Sequence, residues 1–482
     1  MSRPLDSRIV RNAALMSAAN LLCKAMQLAF FIVLIKYLPS DVFGAFNTFG
    51  EAALIMVVVA DMGIDNLLVR EVARRRRDPW PLVNNLFGLR LSLIAAGALV
   101  LAGLLALIRP EGQNLYIGLA VLYGVLVSLL AYVRGILRAY EAMGREAILN
   151  LVDKATHATL GVIFALSGQG VAALLLAMCI GSTLALILGG AWAVSLCRTC
   201  LLPRARDWKR LLHVVWPFAL VAMTVVLLHR QDTVMISALR GDAEAGRYNY
   251  GYRLLEGLFL VPQILSLACY PAFSRMYQEG VDLRARLFPF LSMLWTLAAP
   301  IVVGGVLLAP GILRLLDAQG ADNVLRILLF SYPFICGNFM VGTVLASVNL
   351  QHRNSAASVS AFLANTALNL ALIPRYGAEG AAVATVASQA LYLALMLYVC
   401  RAWFAGWSAD LARYAKSLAV ALAMGAVVLL TDRAGVHTLL SIAAGAGSYG
   451  LFAWLSGVVR GPQLVSLWQQ FRGGAPLLEA DE

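Results

Sequence analysis

The stretch "WPFALVAMTVVLLHRQDTVMISAL" (residues 216–239) is an apolar segment in which four consecutive polar residues, His229 to Asp232, interrupt the pattern. It is long enough to cross a bilayer, which takes about 20 mostly apolar residues in a helix. A charged side chain at the bilayer centre costs at least about 2.5–3.5 kcal/mol, and such residues normally face a helix-bundle interior or a water-filled cavity. The stretch therefore predicts a transmembrane helix that lines a polar interior.

The composition of the whole chain is that of an integral membrane protein. Of the 482 residues, 61% are hydrophobic and 13% are charged, and the mean hydropathy is +0.78. A soluble domain contains about 45–50% apolar and about 25% charged residues. We therefore assign the net charge of +12 to membrane topology and expect no nucleic-acid partner.

Further apolar segments of spanning length predict an all-α polytopic membrane protein with about 14 transmembrane helices. They lie at 12–36, 42–64, 83–108, 114–136, 147–167, 170–196, 212–237, 247–271, 287–310, 324–348, 354–374, 378–400, 414–431 and 438–457. The first segment is too long for the apolar region of a signal peptide, so we expect it to be the first transmembrane helix. The loops between the segments are too short to hold a soluble catalytic domain.

Basic residues concentrate in alternate loops, most densely in the run from Arg74 to Arg77. Cytoplasmic loops carry an excess of Arg and Lys, so this distribution predicts that both termini are cytoplasmic. We expect a multi-pass membrane protein.

No catalytic, metal or cofactor site is expected. The one close cysteine pair, Cys197 and Cys200, has neither a second ligand pair nor a histidine partner, which zinc sites of this type require. The chain has no nucleotide-binding loop and no arrangement typical of a nucleophile with its base. The sequence therefore predicts a protein that is not an enzyme.

Two pairs of similar motifs indicate an internal repeat. "GAFN" (44–47) matches "GRYN" (246–249), and "SGQGVAA" (167–173) matches "YGAEGAAVA" (376–384), at similar offsets. Parallel repeats place a substrate path between the two halves of a transporter. Three regions follow from the repeat: an N-terminal six-helix lobe at 1–208, a C-terminal six-helix lobe at 209–403, and two further helices with a cytoplasmic tail at 404–482.

An ungapped alignment of "GAFNTFGE" (44–51) with "GRYNYGYR" (246–253) sets Glu51 opposite Arg253. The two halves would then carry opposite charges at equivalent positions. Glu51 and Arg253 could pair across the lobes and act as a gate. Alternatively, Arg253 could pair with Glu256 within its own helix, three residues away.

Polar residues recur inside the predicted membrane segments, often three or four positions apart on one helix face. This pattern favours a hydrophilic lumen over scattered surface charges. We read the fourth, sixth, ninth, tenth and twelfth segments as apolar between their ends. Asp153 and His157 could instead satisfy each other across one helical turn. The candidate substrate-binding residues are Asn20, Lys24, Gln27, Glu51, Asp153, His157, His229, Arg230, Asp232, Arg253, Asn365 and Asn369.

The deepest of these residues suit an anionic substrate. Arg230 and Arg253 can hold phosphate oxygens in bidentate fashion, and Lys24 supplies a point charge. We expect Asp232 to compensate Arg230 when the site is empty. His229 and Asp232, three residues apart, could also carry a coupling proton.

Three stretches together carry a family resemblance: residues 37–74, residues 230–275 and residues 369–388. In their order and spacing the chain resembles the polysaccharide (Wzx-type) flippases of the multidrug/oligosaccharidyl-lipid/polysaccharide exporter superfamily. The resemblance implies a V-shaped, two-lobed transporter that moves undecaprenyl-diphosphate-linked oligosaccharide from the cytoplasmic to the periplasmic leaflet for cell-surface or exopolysaccharide synthesis. It implies membrane lipids as surroundings, and a polysaccharide polymerase and glycosyltransferases as candidate partners.

Two other functions remain open at this point, and a third is excluded. The shared superfamily fold also serves cation-coupled multidrug or metabolite exporters and lipid II-type peptidoglycan precursor flippases. An exporter of drugs would favour an apolar-aromatic pocket with an isolated carboxylate, whereas the deep residues here are mainly cationic. An integral-membrane polymerase or ligase would need a sizeable periplasmic loop with acid and base residues, which the spacing of the segments does not allow.

Overall fold

The computed structural model describes residues 7–74, 80–109, 112–197, 208–279, 284–348, 350–401 and 408–458. Every regular element in these ranges is an α-helix. The helices are α1 (Ser7–Tyr37), α2 (Ser40–Asp61), α3 (Ile64–Arg74), α4 (Trp80–Ile108), α5 (Asn114–Ala139), α6 (Met143–Leu166), α7 (Val171–Cys197), α8 (Trp208–Arg240), α9 (Asp242–Leu258), α10 (Leu260–Gln278), α11 (Arg284–Leu315), α12 (Asp322–Leu329), α13 (Tyr332–Ser347), α14 (Gln351–Val399), α15 (Ser408–Arg433) and α16 (Thr438–Leu455).

The predicted fold class, an all-α polytopic membrane protein, is confirmed. Within the described residues, 11 helical stretches are long and apolar enough to cross a membrane. Each of the segments predicted from the sequence falls on a helix. The number of spans is smaller than predicted because α6 and α8 are not among the 11 and α14, which covers two predicted segments, counts once.

Two predicted segments are each divided into two helices by a short break. The segment at 247–271 is divided between α9 and α10, and Pro262 lies in the first turn of α10. The segment at 324–348 is divided between α12 and α13, and Pro333 lies in the first turn of α13. Proline has no backbone N–H and is tolerated in the first turn of a helix but not in its interior, so each proline favours a new helix start.

Helix α14 contains the turn that the sequence predicted between its eleventh and twelfth segments. The backbone leaves helical geometry at Gly377, where φ is 55° and ψ is −131°. A positive φ is easily adopted by glycine because it has no Cβ. At Gly380 a Cβ would lie 2.6 Å from the carbonyl oxygen of Leu372, so the chain on the two sides of the turn is in close contact.

The chain forms two compact units. The first comprises Met1–Gly257 and Phe362–Ala381, and the second comprises Leu258–Ala361 and Ala382–Glu482. These boundaries describe packing, whereas the predicted lobes at 1–208 and 209–403 describe a sequence repeat. The division into lobes stays a prediction.

In the first unit, the short helix α3 closes the end of a core formed with α4, α5, α6 and α7. Its apolar face buries Ile64, Leu67, Leu68 and Val72 in this core. Within the same core the hydroxyl of Tyr132 on α5 donates a 2.5 Å hydrogen bond to the carbonyl oxygen of Val83 on α4. The amphipathic α3 was not among the predicted helices because it is too short and too polar to cross a membrane.

In the second unit, α15 and α16 pack against α11. The hydroxyl of Tyr449 on α16 donates to the carbonyl oxygen of Thr296 on α11 at 2.6 Å. The indole N–H of Trp295 donates to the carbonyl oxygen of Tyr414 on α15 at 3.3 Å. Many leucines on α15 and α16 remain exposed, as expected for helices that face lipid.

Candidate functional site

The candidate site lies in the first unit, where α2 and α9 cross with their backbones in contact. A Cβ at Gly44 would lie 1.8 Å from the carbonyl oxygen of Asp242, and a Cβ at Gly246 would lie 1.8 Å from that of Ser40. Only glycine fits at either position. The two motifs that indicated the repeat, "GAFN" and "GRYN", therefore meet each other and bring the following turns of both helices together.

Glu51 on α2 is the centre of a buried ion cluster. Its side chain is 5% exposed and accepts hydrogen bonds from Arg230 on α8 and from Arg253 on α9. The predicted juxtaposition of Glu51 and Arg253 is thus present in the structure. The alternative contact is present as well, because Arg253 also donates to Glu256 at 2.6 Å.

Arg253 is held on every side. Its Nε and Nη2 donate to the amide oxygen of Asn47 at 3.0 and 2.6 Å, and Nη2 also donates to Glu51. The ring of Phe31 covers the guanidinium group at 4.3 Å, a cation–π contact. With its side chain 6% exposed, Arg253 is a buried cation whose geometry is fixed by its neighbours.

Arg230 differs from Arg253 in its exposure. Its side chain is 28% exposed, and among the described residues Glu51 is its one hydrogen-bond partner. A guanidinium group carries five N–H donors, so Arg230 retains donors that can bind an anion. The sequence had led us to expect Asp232 as the carboxylate that compensates Arg230. In the structure the carboxylate hydrogen-bonded to Arg230 is Glu51.

The polar face predicted on α1 is present and exposed. Asn20, Lys24 and Gln27 are all exposed residues of this helix. Asn20 accepts a 3.1 Å hydrogen bond from Asn150 on α6. Lys24 lies close enough to Glu256 for the charge of this carboxylate to act on it.

A second buried polar cluster joins α8 to the first half of α14. Asp232, 2% exposed, accepts from the hydroxyl of Tyr248 and from the side-chain amide of Asn369, both at 2.7 Å. Gln231 donates to Asn365 at 2.5 Å, and Asn369 donates to Asn365 at 3.0 Å. Asp232, Asn365 and Asn369 thus form one network, in which the carboxylate is satisfied by neutral donors.

His229 faces the aromatic side of α9. The hydroxyl of Tyr252 lies 3.5 Å from its Nδ1 and donates to its carbonyl oxygen at 2.9 Å. Tyr252 stacks on Tyr248, whose ring centroid is 5.5 Å away. These tyrosines are buried and line the packing of α8 against α9.

Asp153 and His157 on α6 do not satisfy each other. Asp153 accepts from the hydroxyl of Ser182 on α7 at 2.9 Å and pairs with Lys154 at 3.0 Å. His157 packs edge-on against Phe30, and its buried Nε2 has no hydrogen-bond partner within the described residues. The two side chains therefore belong to the interface between α1, α6 and α7.

Sequence reasoning missed several polar residues. Asn47 was read only as part of a motif, although it holds Arg253, and Glu256 was considered only as an alternative partner. The expectation that the tenth and twelfth segments are apolar between their ends was wrong. In the second unit Asn338 donates to the side chain of Gln389 at 2.8 Å, and both are buried. A lone amide in an apolar segment has no pattern that reveals its partner.

Comparison with known sequences identifies related proteins. Residues 9–277, more than half of the chain, match the sequence model of a family described as polysaccharide biosynthesis protein, and residues 217–371 match a second family, MatE. "Probable flippase AglR" of Haloferax volcanii is 28% identical over 167 residues. That match covers 33% of this chain and 35% of the relative, so most of the relative's length lies outside it.

Comparison with solved structures gives the same fold. "Lipid II flippase MurJ, inward closed conformation" is similar with a TM-score of 0.74 and 15% identity, over 91% of this chain and 98% of that one. An inward-facing multidrug resistance MATE family transporter of the MOP superfamily is similar with a TM-score of 0.62 and 14% identity, over 79% of this chain and 94% of that one. At these identities the likeness concerns the fold alone.

Proposed function

Because the chain belongs to the polysaccharide biosynthesis protein family, we propose that it is a flippase that moves an undecaprenyl-diphosphate-linked oligosaccharide from the cytoplasmic to the periplasmic leaflet. The observation that supports this substrate class is the cluster of Arg230, Arg253 and Lys24 around Glu51 and Glu256. Arg230 and Arg253 supply guanidinium donors that can bind phosphate oxygens.

The chemistry of the cluster matches a diphosphate. Guanidinium groups donate parallel hydrogen bonds to phosphate oxygens, and charge-assisted bonds of this kind are roughly twice as strong as neutral ones. Arg230 is the accessible member of the cluster, and Arg253 is fixed by Asn47 and Phe31. The exposed Asn20 and Gln27 on α1 add amide groups that suit sugar hydroxyls.

A passage lined by these side chains would lower the main free-energy barrier to flipping, which is the transfer of polar groups through hydrocarbon. A sugar chain brings many hydroxyl groups, and each one left without a hydrogen bond in hydrocarbon costs several kcal/mol. Movement of a dianion out of a negative-inside cell is itself favoured by about 2.3 kcal/mol per charge per 100 mV. The proposed activity therefore requires a polar path and imposes no need for catalysis, so we propose a transporter without enzymatic function.

We place the protein in the bacterial inner membrane with both termini cytoplasmic, as the loop charges predict. Its proposed partners are the lipid-linked substrate and the surrounding lipids, with a polymerase and glycosyltransferases of the same pathway as further candidates. We propose transport by alternating access of the two predicted lobes, 1–208 and 209–403.

A lipid II-type precursor is the second candidate substrate, because its diphosphate would use the same cations. Full-length protein in liposomes distinguishes the candidates. A fluorescent undecaprenyl-diphosphate oligosaccharide, lipid II and a cationic drug are supplied in turn, and arrival at the far side is measured with a membrane-impermeant reagent or by release. We expect flipping of the oligosaccharide lipid above that of protein-free liposomes. Transport of the cationic drug without movement of either lipid would contradict the proposal.

A further inference from the structure

Glu256 is the least buried of the side chains that contact Arg253. Asn47, Glu51 and Phe31 hold the remaining sides, and all three are buried. Glu256 contacts Nη1 at 2.6 Å from a position on the same helix, three residues along. An anion that took the place of Glu256 would contact Nη1 of Arg253.

The two carboxylates of the cluster differ in how easily they can leave it. Glu51 is 5% exposed and is bound by two guanidinium groups, whereas Glu256 is 36% exposed and is bound by one. Removal of a partner from a buried ion pair is strongly destabilising, while exposed pairs contribute little. Of the two carboxylates, Glu256 is therefore the one that can be displaced from the cluster at the lower cost.

We propose that Glu256 is a displaceable counter-ion, and that a phosphate oxyanion of the substrate replaces it on Arg253 while also binding the unused donors of Arg230. Glu51 stays in place and keeps the two guanidinium groups together. This inference rests on the proposed function, which it deepens by identifying where the diphosphate binds. Glu256 would prevent tight retention of product, because it competes for Arg253 after each transfer.

The test measures the affinity of full-length protein for inorganic pyrophosphate by calorimetry in nanodiscs. Glu256→Gln removes the competing charge, so we expect pyrophosphate to bind about tenfold more tightly, the value of one charge-assisted hydrogen bond. Glu256→Asp retains the charge on a shorter side chain and should give an intermediate affinity. Arg230→Gln should weaken binding about tenfold for the same reason.

Glu244→Gln is the matched control, because Glu244 forms an equivalent pair with Arg247 on the same helix, also three residues apart. We expect it to leave pyrophosphate affinity unchanged. A second series measures the binding of undecaprenyl diphosphate. It shows whether the site binds a lipid-linked diphosphate as well as free pyrophosphate. Glu256→Gln should tighten both ligands, and pyrophosphate should compete with the lipid.

Several results would overturn the inference. Unchanged or weaker pyrophosphate binding in Glu256→Gln, together with weaker binding in Arg230→Gln, would show that Glu256 is not displaced although Arg230 binds the anion. If neither wild type nor Glu256→Gln bound pyrophosphate, the site would not recognise phosphate oxyanions. Flipping of the oligosaccharide lipid in the liposome assay would then leave the proposed function standing without this site. If Glu256→Gln fails to fold, the Glu256→Asp result decides.

Discussion

Arg230 is the side chain on which the proposed recognition of phosphate depends most, because it is anchored at one side by Glu51 and open at the other. Its neighbour Arg253 has the opposite character, with nearly all of its donors used by protein groups. A fixed cation next to an accessible one suits a ligand that must bind and leave.

Replacement of Arg230 by alanine should reduce flipping at least about tenfold, because it removes a charge-assisted contact to phosphate. Arg230→Lys keeps the charge but loses the bidentate geometry, so we expect only partial activity. The measurement is flipping in liposomes at equal protein content. Arg240→Ala, at the exposed end of the same helix, serves as control and should be fully active. Wild-type flipping by Arg230→Ala would show that this side chain does not bind the substrate.

The sequence made Arg230 and Arg253 identifiable because charges in apolar segments are rare and costly. It could not identify Asn47 as the residue that orients Arg253, because an amide in an apolar helix has no such signature. For a related reason the sequence favoured Asp232 as the partner of Arg230 and did not reveal the hydrogen bond from Arg230 to Glu51. Proximity along a helix is visible in the sequence, whereas the contact from Glu51 on α2 depends on the crossing of two helices at Gly44 and Gly246.

Among the helices, hydropathy located the candidate membrane spans and missed α3, which lies outside them. Its position depends on amphipathic packing, with Ile64 and Leu68 buried and Asp65 directed toward the charged groups of neighbouring helices. Asp65 accepts from Arg138 on α5 at 3.5 Å, and its backbone N–H donates to Asp61 on α2 at 3.3 Å. Arg90 on α4 donates to the same Asp61.

This arrangement predicts a pH-dependent stability at α3. Burial, followed by the charge of Asp61, raises the pKa of Asp65 from its ordinary value of 3.8 to about 7, although Arg90 and Arg138 act in the opposite direction. Between these values the folded chain holds a proton that the unfolded chain has released. The contribution of Asp65 to the free energy of unfolding is therefore fully present below pH 3.8. It is lost as the pH rises through about 7.

Asp65→Asn, which is neutral at every pH, should become progressively more stable relative to wild type as the pH rises from 5 through the pKa of about 7. Thermal unfolding of the solubilised protein at several pH values measures this difference. Glu71→Gln, on the same helix and paired with Arg70 at 3.3 Å, is the control and should follow the wild-type pH dependence. Parallel curves for Asp65→Asn and wild type would exclude a proton on Asp65 in this range.

At the scale of the whole molecule, the internal repeat relates Glu51 to Arg253 as equivalent residues of the two predicted halves. The two residues occupy equivalent positions in the predicted halves, and the structure brings them together where "GAFN" and "GRYN" meet. If the halves separate during transport, this ion pair has to open. A partly shielded pair that contributes about 1–3 kcal/mol is enough to change the balance between two conformations by tenfold or more.

Charge reversal tests whether the pair acts as a gate. Glu51→Arg would place three guanidinium groups together, and Arg253→Glu would place three carboxylates beside Arg230, so each change alone should abolish most flipping. The double variant restores one opposite pair, but its new arginine also faces Arg230, so we expect recovery of only part of the activity. Reversal of the partly exposed pair Glu244 and Arg247 on α9 is the control and should have little effect singly or together. If the double variant is no more active than the weaker single one, at equal expression, then Glu51 and Arg253 stabilise the fold of this unit and do not gate transport.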